Sequence, residues 1–306
     1  MRVFVTGVKG QLGHDVMNEL AKRGHEGIGV DIEEMDITDA ESVRKVITEA
    51  NPDVVIHCAA WTAVDLAEDD DKKEKVHQVN AVGTENIAKV CHDLDCKMIY
   101  ISTDYVFDGQ GTRPWAPDDE RHPLNVYGQT KYEGELAVEK WVKKFYIVRI
   151  AWVFGVNGKN FIKTMLNLGK THDHLTVVDD QVGSPTYTYD LSRLLVDMAE
   201  KENYGRYHAR LLVDMIQTDK YGRYHATNEG LCSWYEFACE IFKQAAEIDP
   251  AYGKVSVSPV SSDQYPAKAK RPSNSRMSKE KLTENGFEKL PTWQDALHRY
   301  LREIEF

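Results

Sequence analysis

The chain has 306 residues, of which 42% are hydrophobic, and a formal net charge of −11 at pH 7. That length and composition favour a folded protein with a sizeable core, in one large domain and a smaller one, and they argue against disorder. The acidic balance argues against a nucleic-acid partner, and the lack of any long apolar run argues against a membrane span or signal peptide, so we expect a cytoplasmic protein.

Short apolar stretches alternate with helical patterns along the first half of the chain. The predicted strands cover residues 2–6, 27–31, 53–60, 97–103 and 145–155, and the predicted helices cover residues 11–23, 41–50 and 80–94. Strands that alternate with helices indicate an α/β fold with a doubly wound parallel sheet of the Rossmann type. The strands are nearly all apolar, which indicates that helices cover both faces of the sheet.

A glycine-rich turn, TGVKGQLG, follows the first predicted strand directly and opens the first helix. Gly7, Gly10 and Gly13 there permit a tight turn, a close approach of a diphosphate to the backbone, and close packing of helix on strand. The pattern predicts a dinucleotide-binding site. The alternative is an ordinary glycine-rich connection between a strand and a helix.

Asp31 ends the second predicted strand, where an acidic side chain can bind the ribose hydroxyls of a dinucleotide. Its neighbours Ile32 and Glu33 offer no cation for a 2′-phosphate, so we expect NADH to be preferred over NADPH. An aspartate that only caps a turn is the alternative. The other residues expected along the cofactor are Asp36 and Ile37, at the adenine, and the small residues Ala59, Ala60 and Thr62.

The stretch VYGQTKYEGE, residues 126–135, places Tyr127 and Lys131 one helical turn apart. With fifteen tyrosines in the chain, about one Tyr-x-x-x-Lys is expected by chance, so the position of the pair is what supports a function. It follows the strand that ends in Ser102, Thr103 and Asp104. An ammonium group beside a phenol favours the phenolate and lowers its pKa, which predicts Tyr127 as an acid–base group.

In this interpretation Lys131 also binds the nicotinamide ribose, and Thr103 holds the carbonyl oxygen of a substrate. The cofactor supplies hydride, while Tyr127 delivers a proton to the oxygen.

Beyond residue 155 the alternation of strands and helices changes. A helix near residues 160–170 precedes a turn-rich stretch, and Ser233 with Glu236 forms a capping box that opens another helix. We interpret residues 1–155 as the dinucleotide-binding domain and residues 156–306 mainly as a smaller α/β substrate lobe. The lobe is expected over the carboxyl ends of the sheet, where open α/β folds bind their ligands.

Residues 193–209 and 210–226 are a tandem duplication, with twelve of seventeen positions identical. Two short copies do not make a solenoid. One copy provides a helix and the start of a strand, so the other is expected outside the original core. No chemical motif falls inside the repeat, and we predict that the duplication at 193–226 has no effect on function.

Motifs along the whole chain carry a family resemblance. They include VTGVKGQLG, PDVVIHCAAWTAVDLAE, YISTDYVFDG, NVYGQTKYEGE, VRIAWVFG, VVDDQVGSPTY and KRPSNSRMS. Together they resemble the extended short-chain dehydrogenase/reductase family, and within it the dTDP-4-dehydrorhamnose reductases. The resemblance implies NAD(P)H-dependent reduction of the C4 ketone of dTDP-4-dehydro-L-rhamnose to dTDP-L-rhamnose, with a nucleotide sugar as partner and a homodimer as one assembly.

The resemblance also implies roles for individual residues. Gln11 and Leu12 join the glycines at the cofactor, Tyr127 is the proton donor, and Lys131 is its partner. Sugar contacts are implied for Asp104, Tyr105 and Trp152, although Trp152 is also the kind of aromatic that packs at a domain junction. Arg271 is a candidate for the substrate diphosphate, because a guanidinium group binds phosphate oxygens in pairs; a solvated surface arginine is the alternative.

Some family members dimerise through magnesium, and Asp15, Asp190 and Glu303 fall at the positions of its ligands. Aspartate replaces the longer glutamate at two of these positions, so we predict no metal. The odd number of cysteines, without a CxxC pair, also gives no sign of a zinc site or a disulfide framework.

Two other functions stay open. The family also resembles a non-catalytic regulatory partner of methionine adenosyltransferase, and a reductase of another nucleotide-4-keto-sugar would share every motif.

Overall fold

The structure is a computed structural model and describes residues 1–201, 220–265 and 267–306. Its first half alternates strands and helices as the sequence predicts. The elements are β1 (Arg2–Thr6), α1 (Gln11–Lys22), β2 (Glu26–Val30), α2 (Ala40–Ala50), β3 (Val54–His57), α3 (Lys73–His77), α4 (Gly83–Asp93), β4 (Lys97–Thr103), α5 (Val126–Trp141) and β5 (Phe145–Ile150). Short helical turns lie at Leu66–Glu68, Gln78–Val82 and Asp104–Val106.

The second half has shorter strands and more irregular connections. Its elements are β6 (Val153–Phe154), α6 (Phe161–Gly169), β7 (His174–Val178), β8 (Val182–Gly183), β9 (Thr186–Tyr187), α7 (Thr188–Glu200), β10 (Gly222–His225), β11 (Cys232–Ser233), α8 (Trp234–Ile248), β12 (Ser256–Val260), α9 (Glu280–Glu284) and α10 (Trp293–Glu303). The predicted capping box at Ser233 and Glu236 is confirmed at the start of α8. Within the described ranges, no helix combines the length and apolar character needed to cross a membrane.

A six-stranded parallel sheet forms the centre of the molecule, in the order β10-β5-β4-β3-β1-β2. β1 pairs with β2 on one side and with β3 on the other, so the strand order reverses there. In open α/β sheets this reversal leaves a crevice at the carboxyl ends of the strands, where ligands bind. The predicted fold class, a doubly wound parallel α/β sheet, is confirmed.

Helices cover both faces of this sheet. On one face, α1 and α7 pack their apolar sides against residues such as Val5 and Val148, and on the other face α2, α4 and α5 pack around Phe4 and Val55. A third cluster, which includes Phe154, holds α6, α8 and α10 together. The strands are therefore buried on both sides, which explains their continuous apolar runs.

The predicted strand at 145–155 is interrupted, because β5 ends at Ile150 and β6 begins at Val153. Trp152 between them has a φ of 50°, in the left-handed region that a bulky side chain rarely adopts. This turn takes the chain out of the large sheet and into a small pairing of β6 with β9. Likewise β3 ends at His57, so Ala59 and Ala60 lie in the loop after the strand.

Each copy of the duplication contributes to one described element, which lies either in the helix layer over the large sheet or in the sheet itself. The first copy supplies the second half of α7, and the second copy supplies β10. The expectation that the remaining repeat lies outside the core concerns residues 202–219, which are outside the described part of the chain. On either side of them, Lys201 Nζ and Lys220 Nζ donate to the same carbonyl oxygen, that of Asn285, at 3.0 and 2.6 Å.

Deletion of residues 204–220 tests the predicted silence of the repeat, because it leaves one complete copy between α7 and β10. The free-energy cost of extra chain between two fixed ends grows only slowly with its length, so we expect the melting temperature to change by less than about 3 °C. Differential scanning calorimetry measures this. The control is Leu195→Ala in α7, a fully buried side chain whose truncation costs about 2–5 kcal/mol. A deletion variant that melts as low as the control would contradict the prediction.

Candidate active site

A cavity of about 750 Å³ opens at the carboxyl edge of the large sheet. It extends from the glycine-rich turn after β1 to the first turn of α5. Every residue predicted at the cofactor lines it, namely Gly7, Gly10, Gln11, Leu12, Gly13, Asp31, Asp36, Ile37, Ala59, Ala60, Thr62, Tyr127 and Lys131. Four of the five predicted substrate residues line it too, namely Thr103, Asp104, Tyr105 and Trp152.

The glycine positions 7 and 13 of the turn have no room for a side chain. Gly7 has a φ of +72°, and a Cβ atom on it would lie 2.8 Å from the backbone of Ala59. A Cβ atom on Gly13 would overlap the carbonyl oxygen of Gly7, so α1 packs directly on the turn. At these glycine positions the backbone at the start of α1 has no side chain of its own between it and the cavity, which fits the diphosphate of a dinucleotide.

Asp31 lies at the end of β2, where its carboxylate accepts hydrogen bonds from the backbone N–H groups of Lys9 and Ile32, at 3.0 and 2.9 Å. Lys9 Nζ forms an ion pair with Glu33 at 2.7 Å, so a cation does lie beside this end of the cavity. Lys9 comes from the glycine turn and not from the residues that follow Asp31, so nothing in the sequence around Asp31 points to it.

A segment from Gly155 to Asn160 covers the glycine turn. Gln11 Oε1 accepts hydrogen bonds from the Gly155 N–H and from Asn160 Nδ2, at 2.9 and 3.1 Å, and Asn157 Nδ2 donates to the Lys9 carbonyl at 2.8 Å. These bonds bring Lys159 to the cavity wall. No motif in the sequence pointed to Lys159, because its position depends on contacts across about 150 residues of chain.

Tyr127 and Lys131 lie on the first turns of α5, which begins at Val126 directly after Asn125. The Asn125 side chain caps the helix by accepting from the Gly128 N–H at 2.7 Å. Lys131 Nζ donates to the carbonyl oxygen of Ile101 at 2.7 Å and lies 4.1 Å from the centre of the Tyr100 ring. The Thr103 hydroxyl interacts with the Tyr127 phenol, and the three predicted catalytic side chains all line the same cavity.

The protonation states differ from those predicted. Burial raises the pKa of Tyr127 to about 12; the bond to Thr103 opposes this rise, and the charge of Asp104 adds to it. Burial also lowers the pKa of Lys131 to about 7. The predicted low pKa of the phenol is therefore wrong for this structure, because burial raises the pKa of Tyr127 more than its neighbours lower it. A phenol that keeps its proton is suited to act as a proton donor.

Asp104 and Tyr105 follow Thr103 at the end of β4. The buried Asp104 carboxylate accepts from the hydroxyls of Thr103 and Ser275. Burial raises the pKa of Asp104 to about 6 in spite of these bonds. Tyr105 packs edge-on against Tyr127, with ring centres 5.6 Å apart. Ser275 was missed as a single residue, although it lies within the motif KRPSNSRMS.

Trp152 forms part of an aromatic wall of the cavity. Its ring stacks on Trp234 with centres 3.8 Å apart, and both rings line the cavity. Trp234 is the first residue of α8, and the capping box beside it predicts only the start of a helix, so its place in the site was not predicted. Arg271 does not line the cavity; its guanidinium group forms an ion pair with Asp65 at 2.6 Å, near the rim.

The three carboxylates at the magnesium positions each bind a donor from the protein. Asp15 accepts from the Thr188 hydroxyl, Asp190 accepts from Arg299 and Asn228, and Glu303 accepts from the Tyr187 phenol. The Arg299 guanidinium group, 2.7 Å from Asp190, already supplies a positive charge. The arrangement does not fit a metal site, and in the described part of the chain no group of three or more His, Cys, Asp or Glu side chains does.

Comparison with known proteins identifies the family and the fold over the whole chain. The sequence model of the family described as "RmlD substrate binding domain" matches residues 1–306. The dTDP-4-dehydrorhamnose reductase of Mycolicibacterium smegmatis is 39% identical over 97% of this chain and 84% of its own length.

Two solved structures are similar at the same level. A dTDP-4-dehydrorhamnose reductase of Clostridium acetobutylicum is 38% identical, with a TM-score of 0.88 over 99% of both chains. The dTDP-4-dehydrorhamnose reductase of Bacillus anthracis, solved in complex with NADP, has the same identity, coverage and TM-score. The chain therefore belongs to the RmlD family, the family of the dTDP-4-dehydrorhamnose reductases.

Proposed function

We propose that the protein reduces the C4 ketone of dTDP-4-dehydro-L-rhamnose to dTDP-L-rhamnose, with NADH preferred and NADPH accepted. The observation that carries this proposal is one continuous cavity. The glycine turn, which fits a dinucleotide, lies at one end, and the Thr103, Tyr127 and Lys131 side chains lie at the other. The relatives named for this reaction, which match over nearly their whole length, support it.

The residues around the glycine turn fit the cofactor. Gly7, Gly10 and Gly13 would hold its diphosphate at the start of α1, and Asp31 would accept from the adenosine ribose. Lys131 would bind the nicotinamide ribose. When bound, the reduced nicotinamide supplies the hydride that reaches the ketone carbon.

Tyr127 supplies the proton that the new alkoxide oxygen needs. Its phenol keeps that proton at neutral pH, because burial holds its pKa near 12. The Thr103 hydroxyl, in the same cavity wall as the phenol, would also bind the carbonyl oxygen of the substrate. As the proton leaves Tyr127, the nearby Lys131 ammonium stabilises the phenolate that forms, and this lowers the barrier to the transfer.

The far side of the cavity fits a sugar. Asp104, held by Ser275, is a buried acceptor for sugar hydroxyls, and Tyr105 and Trp152 provide flat apolar faces. Arg271 stays a candidate for the substrate diphosphate at the rim, where it would have to leave Asp65.

Tyr127→Phe tests the proton donor. We expect the rate of NADH oxidation with the 4-keto sugar nucleotide to fall about a hundredfold or more, since a general acid is lost. NADH binding, measured by quenching of tryptophan fluorescence, should survive. The matched control is Tyr132→Phe on the same helix, whose ring lies under Arg121 and outside the cavity. Normal turnover by Tyr127→Phe would show the assignment to be wrong.

Lys9→Met tests the cofactor preference. Lys9 is the cation nearest to Asp31 in the cavity wall, so its loss should lower kcat/KM for NADPH about tenfold and leave NADH almost unchanged. Steady-state kinetics with both cofactors measure this, with the exposed Lys45→Met on α2 as control. Equal losses for NADH and NADPH would contradict a contact with the 2′-phosphate.

A panel of 4-keto sugar nucleotides tests the substrate. We expect dTDP-4-dehydro-L-rhamnose to give the highest kcat/KM in assays that vary the base and the sugar separately. A higher value for another sugar would leave the chemistry intact and replace the substrate. No oxidation of NADH with any of them would overturn the proposed function.

A further inference from the structure

The helix that carries Tyr127 and Lys131 has a third ionisable residue at the same spacing. Tyr127, Lys131 and Glu135 follow one another at intervals of four residues, so they share one face of α5. That face packs tightly on β4, because Gly134 has no side chain: a Cβ atom there would lie 2.9 Å from the carbonyl oxygen of Asn80 and would overlap the Tyr100 hydroxyl. Neither the fold nor the proposed reaction assigns a role to Glu135.

Glu135 is fully buried, and both of its oxygens are saturated with donors. Oε1 accepts from Arg149 Nε at 2.7 Å and from Ser102 Oγ at 2.6 Å. Oε2 accepts from Arg149 Nη2 at 2.7 Å and from Arg121 Nη1 at 2.9 Å. A buried carboxylate with four such bonds has one fixed position and keeps its charge.

The ammonium of Lys131 has no carboxylate in direct contact among the described residues. It bonds the Ile101 carbonyl and lies over the Tyr100 ring, so Glu135 acts on it through space. The ionisable groups that surround it are Tyr127 and Glu135 on its own helix, Tyr100 on β4, His57 and Cys58 at the end of β3, and Asp104 beyond Tyr127.

We propose that Glu135 is a positioning residue for the reaction, a fixed buried carboxylate that keeps the Lys131 ammonium charged beside Tyr127. Arg149 and Arg121 hold this carboxylate in place and offset part of its field. The proposal rests on the proposed function only for its kinetic readout. The charge of Lys131 is a property of the protein itself.

The ionisation equilibria agree with this role. Burial lowers the pKa of Lys131 to about 7, and the Glu135 carboxylate opposes that lowering. Burial would raise the pKa of Glu135, but Arg149, Ser102 and Arg121 hold it at about 2. Burial keeps His57 and Cys58 uncharged, with pKa values of about 3 and 12. Asp104, with a pKa of about 6, is also charged between pH 7 and 10, but its charge acts on Tyr127. The carboxylate that opposes loss of the Lys131 proton in this range is therefore that of Glu135.

Glu135→Gln removes the charge and keeps the shape. Without the carboxylate, Lys131 loses its proton at lower pH, so the fall of kcat on the alkaline side should shift to lower pH by about one unit. KM for the sugar nucleotide should change little, because Glu135 does not line the cavity. The pH dependence of kcat at saturating NADH and substrate measures the shift.

Two controls separate charge from structure. Glu139→Gln removes a carboxylate one turn further along α5, which also binds Arg121 but lies farther from Lys131, and its pH profile should match the wild type. Glu135→Asp keeps the charge and shortens the side chain, so its profile should lie close to the wild type even if its melting temperature falls. An unshifted Glu135→Gln profile, with a lower melting temperature, would overturn the proposal.

Arg149→Gln should shift the alkaline fall of kcat in the opposite direction to Glu135→Gln. Without the Arg149 cation, Glu135 stays charged because Arg121 and Ser102 still bond its carboxylate. The negative field of Glu135 at Lys131 is then less offset, so the alkaline fall of kcat should move to higher pH. A purely structural role predicts the same kind of damage from both variants. If the alkaline fall of kcat shifted in the same direction in Arg149→Gln as in Glu135→Gln, this would contradict an electrostatic role.

A direct titration makes the result independent of turnover. In protein labelled with ¹³C-lysine, the Cε resonance of Lys131, identified by its loss in Lys131→Arg, reports the protonation of the ammonium. We expect its midpoint to fall by about one pH unit in Glu135→Gln with NADH present or absent. An unchanged midpoint would overturn the proposal. A wild-type protein that titrates as expected but turns over no 4-keto sugar would overturn only the proposed function.

Discussion

The buried ion pair of Glu135 with Arg149 is the interaction on which the geometry of the site depends most. It joins α5 to β5, and the same guanidinium group donates to the Pro117 carbonyl at 2.8 Å and lies 3.3 Å from His225 on β10. Loss of one partner from such a pair costs about 3–5 kcal/mol, because the other charge stays buried. The pair thus links the helix of the phenol, the edge of the sheet and the loop that contains Pro117.

Burial decides most protonation states in the cavity. Tyr127 and Asp104 hold their protons at higher pH than in water, and Lys131 and His57 give theirs up at lower pH. In each case the loss of water disfavours the charged form. Neighbouring charges then shift the pKa of individual groups, as the Glu135 carboxylate does when it opposes the lowering of the Lys131 pKa. A reductase that must donate a proton at neutral pH is served by a phenol that retains it.

The sequence predicted the sheet and the composition of the cavity well, because both follow from local patterns. Gly7, Asp31 and Tyr127 each lie at the end or start of an element, and the carboxyl ends of parallel strands necessarily meet at one edge. Lys159 and Ser275 come from irregular segments, and Trp234 opens a helix whose start is predictable but whose place in the fold is not, so tertiary contacts alone bring these three residues to the site. The break at Trp152 was missed because a tryptophan with a left-handed backbone has no signal in the sequence.

The connection between α7 and β10 joins the chain at the amino ends of the strands, where Lys97 at the start of β4 donates to the carbonyl groups of Met198 and Ala199 at the end of α7. The cavity opens at the opposite edge of the sheet. The last residues of α7 and the first residues of β10 thus lie at the edge of the large sheet away from the cavity, so a change made at either of these two ends is separated from the ligands by the length of a strand.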